Sequence, residues 1–170
     1  PLSEEGRAQA EALGRNLVLD HADAIYASDL TRAIETATPL AKRFGLTVMP
    51  DPLLRELNFG AWEGRNFQDV NAESPDAMKR FYSDPERVDI PNSEPFPDFQ
   101  KRVAGRVREI VLEQRGKRII IVSHGASIRI LLADILFMPI RSIWHVSQLN
   151  TAVNKIRFED DGFAVVTLMN

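Results

Sequence analysis

His124 ends an apolar run, Ile119-Ile120-Ile121-Val122-Ser123, and is followed by Gly125 and a helical pattern. An imidazole in that position can donate a hydrogen bond or exchange a proton near neutral pH. Gly125 lets a backbone N–H come close to a ligand. The start of a helix offers free N–H groups and the positive end of its dipole, both suited to an anion. From these residues alone, a ligand-binding histidine and a hydrogen-bonded residue that merely finishes a strand stand as equal readings. A second apolar run ends on Ser28-Asp29 and also leads into a helix, so Ser28 is a second candidate for an anion pocket. Arg32 lies one turn into that helix, with Thr31 and Thr36 nearby. Its planar fork suits two oxygens of a phosphate, although alone it reads equally as a solvated helix arginine. Glu56, in "LLRELNFGAWEG", follows Leu53 and Leu54 and precedes Phe59 and Trp62. Apolar surroundings would raise its pKa and make it a general acid. Glu63 competes for that role, and Arg55 with Glu56 also fits an ordinary surface ion pair.

The remaining candidates are weaker. His21 reads as a surface residue, and His145, beside Trp144, packs or lines a substrate pocket. Three scattered histidines and no cysteine give no metal-binding spacing. No glycine-rich dinucleotide or P-loop pattern occurs, so no cofactor is expected. The net charge of -3 gives no support to a nucleic-acid surface. No apolar run approaches membrane-spanning length, so no membrane partner is expected. The lack of cysteine fits a reducing cytosol, and a cytoplasmic location is the expectation. A chain of 170 residues, 44% hydrophobic, suits one domain with a substantial core.

The elements that must position these residues follow from periodicity. Residues 3–19 read as an amphipathic helix capped by Ser3, with Ala8, Ala12, Leu13 and Leu17 on one side. A strand over 23–28, a helix over 30–44 ended by Gly45 and a strand over 46–50 come next. Residues 51–66 are irregular, and two short helices over 66–83 are separated at Ser74-Pro75. The proline-rich stretch 83–99 reads as a surface excursion, followed by a helix over 97–115 whose face is Phe99, Val103, Val107, Ile110 and Val111. A strand over 118–123 is predicted to be buried. A helix over 126–137, a short helix near 140–146 and a C-terminal hairpin turning at Asp161-Gly162 complete the pattern. Alternating strands and helices predict an α/β fold with helices on both faces of a mostly parallel sheet. Ligands of such sheets sit beyond the carboxyl ends of the strands.

Four segments occur in order: "PLSEEGRAQAEALG", "IYASDLTRAIETA", "LLRELNFGAWEG" and "IIIVSHGASIRILL". Together they resemble the histidine phosphatase superfamily, also called the phosphoglycerate mutase-like family, over nearly the whole chain. The likeness is strongest to the small bacterial phosphatases, which include α-ribazole and broad-specificity phosphatases. The resemblance implies one three-layer α/β domain over 1–170, with 66–99 forming a cap over the site. It implies that Arg32 is the second phosphate-binding arginine, Glu56 the proton donor and His124 the second histidine of the phosphate pocket. Gly125 and Ser28 would lie against the phosphate. It also implies phosphomonoester hydrolysis of a small phosphorylated metabolite through a phosphohistidine, without metal. A mutase and a non-catalytic phosphate-binding member are the alternatives, and a homodimer is left open. The family's nucleophilic histidine lies in an Arg-His-Gly motif on a first strand upstream of the "PLS" segment. The expectation is therefore a chain that begins after that strand, with two sheet edges unpaired. A second departure is Asn92-Ser93-Glu94-Pro95, where the family often has Gly-Gly-Glu-Ser.

Overall fold

The computed structural model describes residues 1–170. Its centre is β1 (Ala24–Ser28), in which every residue is buried. That burial requires neighbours on both edges and layers on both faces, and the chain supplies them. β2 (Val48–Asp51) and β3 (Ile119–Val122) flank β1 in the order β2-β1-β3, both parallel to it. The register sets Ile25 against Val48 on one side and Ile120 on the other.

Alternate residues of β1 point to opposite layers, as the pleat demands. Ile25 and Ala27 pack with Ala37, Leu40 and Ala41 of α2 (Thr31–Phe44) and with Leu13 of α1 (Glu4–Asn16). Ala24 and Tyr26 face Leu54 together with Val107 and Ile110 of α5 (Phe96–Glu113). The result is the expected three-layer α/β sandwich. Gly45 ends α2 in the left-handed region at φ +66°.

The face of α1 differs from the expectation. Ala10 and Gly14 are its buried residues, and Ala8 is exposed. The reason is close helix approach. A Cβ on Gly14 would lie 2.7 Å from Cβ of Pro39, so glycine is what lets α1 settle on α2. The helix also stops at Asn16 rather than 19.

α3 (Phe67–Glu73) and α4 (Pro75–Ser83) meet at Ser74, as expected. They are held by aromatic contact more than by sheet contact. Phe81 is fully buried and touches the rings of Phe59, Trp62, Phe67, Tyr82, Phe96 and Trp144. The indole of Trp144 donates to the carbonyl of Phe81 at 2.7 Å, which satisfies its polar end inside the cluster. This cluster ties the 59–99 region to the core formed by α5 and α6 (Gly125–Ile135).

β3 corrects a second expectation. Its four residues are only half-buried, because β3 pairs with β1 on one edge and has no strand on the other. The C-terminal hairpin, β4 (Lys155–Phe158) with β5 (Ala164–Leu168), pairs only with itself. Both strands are shorter than the apolar runs suggest. No helix is long and apolar enough to cross a membrane.

Candidate active site

β1 and β3 lie side by side and parallel, so their carboxyl ends open at the same place. That brings together residues 92 positions apart. Arg32 Nε donates to His124 Nδ1 at 3.2 Å. An imidazole nitrogen that accepts carries no proton, so the neutral ring is the Nε2–H tautomer, assigned from the network. That Nε2 is buried and has no hydrogen-bond partner. His124 as a whole is 8% exposed. Burial pushes its pKa down to about 4, and the positive charges of Arg32 and Arg102 add to the effect; Asp29 opposes it. At neutral pH the site therefore presents a buried N–H donor, beside an arginine, with no acceptor.

Glu56 sits where the sequence placed it in space but not in kind. Its Oε2 accepts from Ala126 N at 3.0 Å, and its Oε1 from Ser127 N, the Ser127 hydroxyl and Leu57 N. Four donors replace the apolar pocket that Phe59 and Trp62 were expected to provide. Those two rings turn away to the Phe81 cluster. Glu56 thus closes the open N–H groups at the start of α6, next to His124. Glu63 is exposed and accepts from Phe59 N within its own turn, so the competition between the two carboxylates is resolved in space. Arg55 does not pair with Glu56. It forms a bidentate pair with Asp29, 2.6 Å at each contact, and its guanidinium holds the Asp29 carboxyl below the usual range.

The backbone around Glu56 is pinned from two sides. The Ser123 hydroxyl donates to the Leu54 carbonyl, and the single proton of the Ser127 hydroxyl is shared between the Arg55 carbonyl and Glu56 Oε1. Arg102 donates to the carbonyls of Leu53, Arg55 and Glu56, and holds Glu94 in a bidentate pair at 2.7 Å. None of Arg102, Ser127 or the Asp29–Arg55 pair was singled out from sequence. Each is an ordinary polar residue whose partner is distant along the chain, and no local pattern marks it.

The other candidates separate. Gly125 begins α6 beside the histidine, and a Cβ there would lie 2.9 Å from Nη1 of Arg129. Ser28 is fully buried, and its hydroxyl accepts from Leu30 N, so it shapes the turn into α2 and has no access to a ligand. Thr31 is exposed, and the Thr36 hydroxyl donates back to the Arg32 carbonyl. His21 and His145 are exposed and lie outside this group. No three His, Asp or Glu side chains are placed to hold a metal ion.

A buried imidazole donor and an arginine at a strand mouth, with a carboxylate on the adjoining helix start, form an arrangement for a tetrahedral oxyanion. The family model described as "Histidine phosphatase superfamily (branch 1)" matches residues 1–170. The chain belongs to that superfamily. Bacillus stearothermophilus YhfR has a similar structure, with TM-score 0.92 and 31% identity, over 99% of this chain and 83% of that one. The α-ribazole phosphatase of Shigella flexneri matches with TM-score 0.85 and 30% identity, over 100% and 84%. Among curated proteins, Phosphoserine phosphatase 1 of Hydrogenobacter thermophilus is 27% identical over 94% of this chain and 75% of its own length. Within the superfamily, the Asn92 departure has a backbone explanation. Asn92 adopts φ +61°, the left-handed region that a glycine would occupy, and asparagine tolerates it better than most residues. Glu94 keeps the acidic position and uses it to hold Arg102.

Proposed function

We propose that this protein hydrolyses a small phosphomonoester through a phosphohistidine. The observation that carries the reading is the Arg32–His124 pair, with its unpartnered buried Nε2–H at the carboxyl end of the sheet. Arg32 and His124 hold two equatorial oxygens of the phosphoryl group and offset the charge that builds on them during transfer. The amide of Gly125 adds a donor from the helix start. Glu56 serves as proton donor to the leaving alcohol, then as base toward water. For that it leaves its present role of closing α6, so proton donation is coupled to a rotation of its side chain.

The nucleophile is a histidine on an upstream strand bearing Arg-His-Gly. The reading places that strand on the open edge of β3, between it and the C-terminal hairpin, which brings it beside His124. Residues 66–99 cap the site, through the aromatic cluster that fixes them over α5 and α6. The lack of cysteine supports a cytosolic setting. Phosphatase-named relatives favour hydrolysis over mutase chemistry.

The test uses the protein with its upstream strand and an aryl phosphate. His124→Ala and Arg32→Ala are each expected to lower kcat by about a hundredfold, the loss typical of an oxyanion donor. Turnover within about threefold of the parent in both variants would remove the site from the two residues named. Transfer to 3-phosphoglycerate in preference to release of free phosphate would assign mutase chemistry instead. Phosphate found on His21, His124 or His145 would contradict the placement of the nucleophile.

A further inference from the structure

Three arginines are withdrawn from solvent without being fully buried: Arg102, Arg106 and Arg129. Two of them are neutralised. Arg102 pairs with Glu94, and Arg106 with Asp51, Glu109 and Glu113. Arg129 has no carboxylate within ion-pair distance. A half-buried guanidinium without a counter-charge pays a desolvation cost that a structural role does not require.

Its geometry shows where that charge is aimed. Side chains of a helix lean toward its N-terminus, so Arg129 of α6 reaches back toward Gly125, four residues earlier. A Cβ on Gly125 would meet Nη1 of Arg129 at 2.9 Å, and no other non-neighbouring atom lies within 4 Å of that position. The guanidinium is held rigidly on its far side. Nε donates to the carbonyl of Val146 at 2.7 Å, Nη2 to that of Gln148 at 3.4 Å, and the group lies 5.8 Å above the ring of Trp144. Gln148 is itself buried and fixed by a reciprocal amide pair with Asn154. Nη1 makes no hydrogen bond, and since His124 Nε2 is the one buried polar side-chain atom without a partner, Nη1 is reachable from outside. His124, the N-cap, and Arg129 therefore present two unmet donors at the start of one helix, separated by about 7.5 Å along its axis.

On the phosphatase reading above, we infer that Arg129 forms a second anion subsite, which receives a carboxylate or second phosphate on the leaving group. The site then prefers phosphorylated acids over phosphate esters of neutral alcohols. Arg129 is a specificity residue here; it touches the substrate away from the transferred phosphoryl group.

A matched pair of substrates isolates the effect: 3-phosphoglycerate and glycerol 3-phosphate differ in one carboxylate against one alcohol. With the protein carrying its upstream strand, Arg129→Gln is expected to lower kcat/KM for 3-phosphoglycerate by about tenfold or more, mainly through KM, as loss of a charged hydrogen bond does. Glycerol 3-phosphate should change by less than about threefold on the same scale, and its turnover serves as the control for folding. Arg129→Lys loses the grip on Val146 and Gln148 but keeps the charge, and should retain most of the preference for the acid. Equal losses on both substrates, with Lys as damaging as Gln, would make Arg129 a structural brace and overturn the subsite. No loss on either substrate would overturn it as well. If the parent turns over neither substrate nor an aryl phosphate, the phosphatase reading itself fails and the subsite falls with it.

Discussion

His124 is neutral in the folded protein at pH 7, and that has a measurable cost on acidification. Its folded pKa of about 4 lies below the ordinary imidazole value of 6.5. The unfolded chain therefore binds more protons between these values, and folding stability falls as pH drops from about 6.5 to about 4. The full difference corresponds to about 3 kcal/mol. Urea midpoints measured at pH 7 and pH 4.5 should move apart for the parent and come closer together for His124→Gln, which cannot take up the proton. An equal gap in both proteins would assign the acid sensitivity to other groups. A bound phosphate should have the reverse effect, since an anion at Nε2 favours the imidazolium. Phosphate binding near pH 6 is then expected to take up protons, and the uptake can be measured by calorimetry in two buffers of different ionisation heat. At this scale the sequence was informative where a residue sits in an ordered motif. His124, Gly125 and Arg32 were recognisable from their strand ends, but Ser28 was not excluded, because a hydroxyl that faces inward has the same letter as one that faces out.

Between residue and fold stands the stretch 52–66, in which Glu56 lies between two single 3₁₀ turns, Pro52–Leu54 and Gly60–Trp62, and belongs to neither. Arg102 supplies the rigidity, through three carbonyls and Glu94. Arg102→Ala is expected to destabilise the protein by about 3 kcal/mol, the usual result of leaving a shielded carboxylate without its partner. It should also lower kcat, because the backbone under Glu56 loosens. Denaturant unfolding and kcat measured on one preparation check both effects, and an unchanged kcat would show that Glu56 is positioned by α6 alone. Gly60 fixes the other end of the stretch. It adopts φ +55°, and an added Cβ would lie 2.3 Å from the Pro91 carbonyl oxygen and 2.4 Å from Ser93 N. Gly60→Ala should therefore cost upwards of about 2 kcal/mol in the same unfolding assay, far above a typical surface change. The helices were legible from periodicity to within a few residues at each end. The face of α1 was not, since glycine carries no apolar signal, yet Gly14 is the residue pressed hardest against α2. The loop network was also hidden, because its partners are separated by up to 72 positions along the chain.

For the whole molecule, the order β2-β1-β3 leaves one edge of β3 without a partner, next to a hairpin that closes only on itself. Unpaired edges exchange amide hydrogens readily and recruit other strands. In the 170-residue chain, amides of Ile119–Val122 on that edge should exchange faster than those of Ala24–Ser28. Hydrogen exchange followed by mass spectrometry checks this, and equal protection of the two strands would overturn it. The alternation of strands and helices made the layered architecture readable in advance. The half-exposure of β3 was not, because an apolar run does not state how many neighbours its strand will have. The aromatic cluster bears on how any of these experiments is read. The chain has two tryptophans, Trp62 and Trp144, and both rings pack against Phe81. Intrinsic fluorescence therefore reports on the seam between the 59–99 region and the α5–α6 layer, and is nearly blind to the sheet. Circular dichroism in the far ultraviolet records the helices throughout. Melting curves that coincide in the two signals would mean that this seam and the rest of the protein unfold as one unit; an earlier transition in fluorescence would mark the seam as the first part to open.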